Sequence, residues 1–126
     1  MVFSFVVLAI LAISIEVKRA SGSSLSTRET TLKINNEEAR ILDIREAKEF
    51  KTGHIVDAIN IPLVKLDSRL SELDKYKDKP LIIVCNIGQH AGQAVKKLET
   101  AGFDKVFKLS GGMSTWRAES LPVVRS

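Results

Sequence analysis

From about residue 25 onward the chain alternates between short, mostly apolar runs and longer stretches in which apolar positions recur every three or four residues. The runs are Ala39-Arg40-Ile41-Leu42-Asp43-Ile44, Ala58-Ile59-Asn60-Ile61, Leu81-Ile82-Ile83-Val84 and Val106-Phe107-Lys108-Leu109. Each has the length and β-branched content of a buried strand. Pro62 ends the second. Between them, Thr27 is placed to cap a helix reaching about Ile34, with Glu29 and Glu37 on its polar side. Glu46 to Lys51 fits one or two helical turns stopped by Gly53. Leu66, Leu70 and Leu73 have helical spacing. Ala94, Val95, Leu98 and Ala101 form one face of a helix from Gly92 to Ala101, with Gly102 as its stop. Met113 to Ala118 reads as a closing helix. Strands separated by helices at this spacing predict an α/β fold, a central parallel sheet with helices on both faces.

In open parallel sheets, sites form beyond the carboxyl ends of the strands. Cys85, the chain's one cysteine, stands at such an end, directly after the most apolar strand. A glycine-punctuated loop follows and opens the Gly92 helix. Backbone amides and the helix dipole there favour negative charge. Such surroundings promote the thiolate form of a thiol, the form that attacks sulfur or phosphorus centres. Gly88 is suited to backbone angles that other residues resist, and Gly92 to a close approach of the helix. A buried cysteine acting as a small hydrophobe is the plain alternative.

Composition narrows the field. A chain of 126 residues has room for one core of ordinary size, and 44% hydrophobic with 27% charged residues is globular rather than disordered. A single cysteine excludes an internal disulfide, and with two histidines besides it no dedicated metal site is expected. The net charge of +4 comes from basic residues interleaved with acids, as in Asp74-Lys75-Tyr76-Lys77-Asp78-Lys79, without aromatics between them to stack bases. Nucleic acid is therefore not an expected partner.

Residues 1–15 carry no charge, and Lys18 and Arg19 follow them. The run is short for a bilayer span, and positive charges after it suit a short anchor better than a secretory signal. The expected layout is an apolar anchor or signal-like segment over 1–19, a flexible linker over 20–24 and a domain over 25–126. The anchor would hold the domain on the cytoplasmic side of the inner membrane, or, if signal-like, deliver it to the periplasm.

Six segments occur in order: Leu42-Asp43-Ile44-Arg45, Glu49-Phe50, Gly53-His54-Ile55, Ala58-Ile59-Asn60-Ile61-Pro62, Val84-Cys85-x-x-Gly88 and Gly111-Gly112-Met113-x-x-Trp116. Together they resemble the rhodanese-like domain family over about residues 25 to 125, and the membrane-tethered single-domain bacterial members are the most similar in layout. The resemblance implies a three-layer fold around about five parallel strands, and sulfur transfer without metal or organic cofactor. Cys85 would take a sulfane sulfur from thiosulfate, or from a protein persulfide or polysulfide, as a persulfide. It would pass that sulfur to cyanide or a thiol acceptor. Asn86, Ile87, Gly88, Gln89, His90 and Ala91 would form the loop that binds the anion. Many members carry arginine five residues after the cysteine and serine at the sixth; here these are His90 and Ala91. A histidine supplies positive charge only partly near neutral pH, so a dianion such as thiosulfate is expected to be a poor donor. A phosphatase of related fold would need arginine at position 91. A non-catalytic interaction or sulfur-sensing module remains the alternative.

The other conspicuous residues have plainer readings. Arg45 and Glu49 are spaced to pair across one helical turn. His54 is expected to satisfy backbone groups, and Met113 and Trp116 to pack near the site. No spacing puts His54 or His90 within reach of Cys85 as a catalytic dyad.

Overall fold

The computed structural model describes residues 20–126. Its strands are β1 (Ser24–Leu25), β2 (Arg40–Asp43), β3 (Ile59–Asn60), β4 (Leu81–Val84) and β5 (Val106–Leu109). Its α-helices are α1 (Thr27–Glu37), α2 (Ala47–Lys51), α3 (Leu66–Arg69), α4 (Ala91–Thr100) and α5 (Gly112–Ala118). All strand pairs are parallel, in the order β1-β5-β4-β2-β3.

β4 sits at the centre, and its four side chains are fully buried because both faces of the sheet are covered. Period-two alternation sorts them. Leu81 and Ile83 pack with Leu66 and Leu73 and with Ala94, Val95 and Leu98 of α4; Ile82 and Val84 pack with Leu25, Ile41, Met113 and Trp116. Cys85 continues the rhythm of Leu81 and Ile83, so it belongs to the α4 face. The chain runs from β2 to β3 toward one edge and from β4 to β5 toward the other, which leaves a crevice between the carboxyl ends of β2 and β4.

The three-layer α/β fold follows the expectation, with local differences. Ser26, not Thr27, caps α1: its hydroxyl accepts from the Glu29 N–H while the Glu29 carboxylate accepts from the Ser26 N–H. That reciprocal cap also gives the helix a start from which it runs to Glu37, three residues beyond the expected end. Ser24 and Leu25 are an edge strand pairing with Lys108 and Leu109, although Ser24 reads as linker in the sequence. Two residues of strand carry too little periodicity to be recognised. The Leu66 to Leu73 stretch is half α-helix and half 3₁₀ helix: a 3₁₀ turn over Leu63–Lys65 precedes α3 and another over Leu70–Tyr76 follows it.

The membrane expectation is corrected. Among the described residues no helix is long and apolar enough to cross a membrane. Residues 1–19, on which the anchor reading rested, lie outside the described residues. Placement of the protein at the inner membrane is therefore set aside.

Candidate functional site

Cys85 lies at the floor of a cleft of about 380 Å³ in the crevice between β2 and β4, and its side chain is almost wholly buried at 4% exposure. Ile44 and Arg45, which follow β2, form one wall; Asn86, Gln89 and His90, which follow β4, form another. Leu63 and Val64 close the side toward α3.

The loop after the cysteine turns on Gly88, whose φ of +94° is in the left-handed region that other residues resist. This turn brings the Gly88 N–H back over the sulfur, which it meets at 3.0 Å. The Gln89 side-chain oxygen accepts from the Ile87 N–H at 3.3 Å and lies 3.9 Å from Sγ. Of the loop amides expected to face the sulfur, Gly88 thus has a direct hydrogen bond, while that of Ile87 is taken by Gln89. A backbone donor held on the sulfur can stabilise negative charge there without reorganising.

The sequence-predicted loop residues separate into different roles. Asn86 turns sideways, and its amide donates to the Glu49 carboxylate at 2.5 Å. Ile87 is exposed at the tip. His90 is exposed and lines the cleft from the N-cap position of α4. Ala91 is the first residue of α4, and its methyl is buried in the core. Gly92 is a correction: a Cβ there would meet nothing within 4 Å, so no close approach depends on it.

The close approach occurs elsewhere. Gly112, with φ +59°, opens α5 directly beneath the loop, and a Cβ on it would lie 2.2 Å from the Cys85 carbonyl oxygen and 2.8 Å from that of Asn86. Those two carbonyls are bound by the first free amides of α5: Met113 N–H donates to Cys85 O at 2.8 Å and Ser114 N–H to Asn86 O at 2.9 Å. The helix start therefore fixes the loop from below by satisfying its carbonyls while its own orphan donors are satisfied in return. The adjacent Gly111-Gly112 pair is the signal in the sequence, although it reads there only as a turn.

The opposite wall rests on a buried ion pair. Arg45 does not pair with the Glu49 carboxylate as its spacing suggests. Its guanidinium instead bonds Asp43 through Nε at 3.0 Å and Nη2 at 2.7 Å, and donates to Gly53 O at 2.9 Å. Helical spacing fails because Arg45 precedes α2, and Asp43 at the end of β2 is buried beside it. Asn60 donates to the carbonyls of Asp43 and Arg45, both at 3.0 Å, and locks the same turn. The Arg45 charge is matched by Asp43, so the cleft gains no free cation from it.

His54 is not among the residues that line the cleft. Its Nδ1 donates to Phe50 O at 2.8 Å, its ring stacks on Phe50 at 3.7 Å between centroids, and its backbone pairs with Val124. This is the structural role expected of it. Met113 and Trp116 are buried, and the Trp116 indole donates to Pro122 O at 2.9 Å. Among the described residues, no three His, Cys, Asp or Glu side chains are grouped to hold a metal ion.

A parallel α/β sheet with a cysteine at its topological switch point, gripped by a tight glycine loop, defines a class shared with known proteins. The rhodanese-like domain model matches residues 26–119, and the chain belongs to that family. It is 35% identical over 118 residues to the Escherichia coli protein YibN, covering 93% of this chain and 82% of YibN. It is 32% identical to a protein of Allochromatium vinosum named sulfurtransferase, covering 86% of this chain and 95% of that one. Among solved structures, a rhodanese-related protein of Thermoplasma volcanium superposes with a TM-score of 0.71 at 26% identity, covering 82% of this chain and 99% of that one.

Proposed function

We propose that the protein is a sulfurtransferase that carries sulfane sulfur as a persulfide on Cys85. The observation that carries this reading is the Gly88 N–H held 3.0 Å from Sγ at the floor of a cleft. The same donor can hold the charge of a thiolate and, after small adjustment, of the persulfide that extends from it. The name of the Allochromatium vinosum relative supports the reaction class.

With thiosulfate, the Cys85 thiolate attacks the outer sulfur, a new S–S bond forms at Sγ, and sulfite leaves with the electron pair of the bond that breaks. With cyanide or a thiolate, the acceptor attacks the outer sulfur of the persulfide and the Cys85 thiolate is restored. Asn86 is neutral and His90 replaces a permanent cation, so thiosulfate, a dianion, is the weaker of the possible donors; a persulfide or polysulfide is favoured.

The test is thiocyanate formation from cyanide, with thiosulfate and with polysulfide as donors, by wild type and Cys85→Ser. Turnover by wild type that is lost in the variant is expected. Equal rates for the two proteins, or no turnover with these donors and none with a peptide persulfide, would defeat the proposal.

A further inference from the structure

Two carboxylates, those of Glu46 and Glu49, line the cleft that holds Cys85. Among the described residues neither is ion-paired with lysine or arginine, while the one arginine in the cleft wall, Arg45, is neutralised by Asp43. Apart from Cys85, these two carboxylates and the neutralised Arg45, His90 is the one ionisable side chain left in the lining, so carboxylates are in excess around the sulfur. A dianion entering it is repelled twice, and a basic group beside the incoming sulfur is attracted twice.

The rim is also apolar. Val64, 82% exposed, stands at the cleft wall, and Ile87, 62% exposed, stands at the tip of the Cys85 loop. These two aliphatic side chains beside the reactive group offer an apolar contact to a larger donor that docks there. Inorganic sulfur anions make no such contact.

Building on the sulfur-transfer reading, we propose that the donor recognised by this cleft is a persulfide carried on a protein or peptide segment with basic and apolar residues around the cysteine. In the step itself, the Cys85 thiolate attacks the outer sulfur of R–S–SH. The donor S–S bond breaks as the new one forms at Sγ, and R–S⁻ leaves and takes up the proton released by the new persulfide. Sulfur oxidation states are exchanged within the pair, so no external oxidant or reductant is needed.

The experiment is single-turnover sulfur uptake by Cys85, read by mass, from three donors: thiosulfate, a short peptide persulfide flanked by lysines and leucines, and the same peptide with glutamates in place of lysines. Wild type is expected to prefer the lysine peptide over the glutamate peptide by roughly tenfold or more at low salt, with the gap closing as salt rises. Glu46→Gln with Glu49→Gln is expected to narrow that gap and to speed uptake from thiosulfate roughly threefold to tenfold, the size of removing unit charges facing a dianion across a narrow cleft. Val64→Ser is expected to slow uptake from the peptide donors more than uptake from thiosulfate. Equal wild-type rates for the two peptides would overturn the proposal, as would a thiosulfate rate insensitive to both glutamine substitutions. Sulfur uptake with either of those results would still leave the sulfurtransferase reading standing; no uptake from any donor would remove that reading itself.

Discussion

Gly112→Ala joins the fold and the site in one substitution. The residue has φ +59°, and adopting the left-handed region costs a residue with a Cβ about 1–2 kcal/mol. The added Cβ would lie 2.2 Å from Cys85 O, whereas ordinary contact begins near 3.4 Å, so α5 and the loop must separate by about 1 Å. The obstructing atoms are backbone on both sides, and no rotamer change relieves them. A separation of that size stretches Met113 N–H to Cys85 O and Ser114 N–H to Asn86 O beyond useful length, each bond contributing about 1 kcal/mol. The total is about 3–4 kcal/mol. Urea unfolding read by Trp116 fluorescence should show the midpoint falling by roughly 2 M with an unchanged slope. Gly92→Ala is the control: its φ is ordinary and its Cβ meets nothing, so it should be neutral or stabilising by up to about 1 kcal/mol. A Gly112→Ala midpoint within experimental error of wild type would refute the close-approach reasoning.

Two further outcomes follow from charge. Asp43→Asn leaves the buried Arg45 guanidinium without its counter-charge and should cost about 3–5 kcal/mol, while Asp43→Asn combined with Arg45→Met should cost less than the sum of the single changes, as measured by the same unfolding assay. At the surface, a hydrogen bond from Lys79 and its charge hold the Glu38 carboxyl below the ordinary carboxylate range, and the same contact raises the Lys79 amine. The stability this adds through Glu38 is present above the unfolded carboxylate range and lost as pH falls through the lowered folded value. The part added through Lys79 is lost as pH rises through its raised folded value. Lys79→Met should therefore lower the Tm slightly near pH 7, with the difference shrinking toward zero at strongly acid pH.

The sequence carries those parts of the molecule whose cause is local. The apolar runs at β2, β4 and β5 specify strands because the sheet is buried on both faces there, most completely over Leu81 to Val84, while the edge strand β3 is only half-buried. The position of Cys85 at a strand end follows from the Leu81 to Val84 run. β1 escapes because two residues show no period; it is specified by pairing with Lys108 and Leu109, far away in the chain. Arg45 misleads because spacing indicates which side chains can meet on a helix, and this one stands before the helix starts. The negative lining contributed by Glu46 and Glu49, and the support of the loop by Gly112 and Met113, arise where segments separated by tens of residues converge. Only Gly111-Gly112 hints at that support in advance.

The most direct measurement of the central claim is the intact mass of the protein after incubation with a sulfane-sulfur donor, beside Cys85→Ser. Gain of one sulfur atom, removed by cyanide and absent from the variant, is the expected result. Retention of the added sulfur by Cys85→Ser, or an unchanged wild-type mass with thiosulfate, polysulfide and peptide persulfide alike, would contradict it.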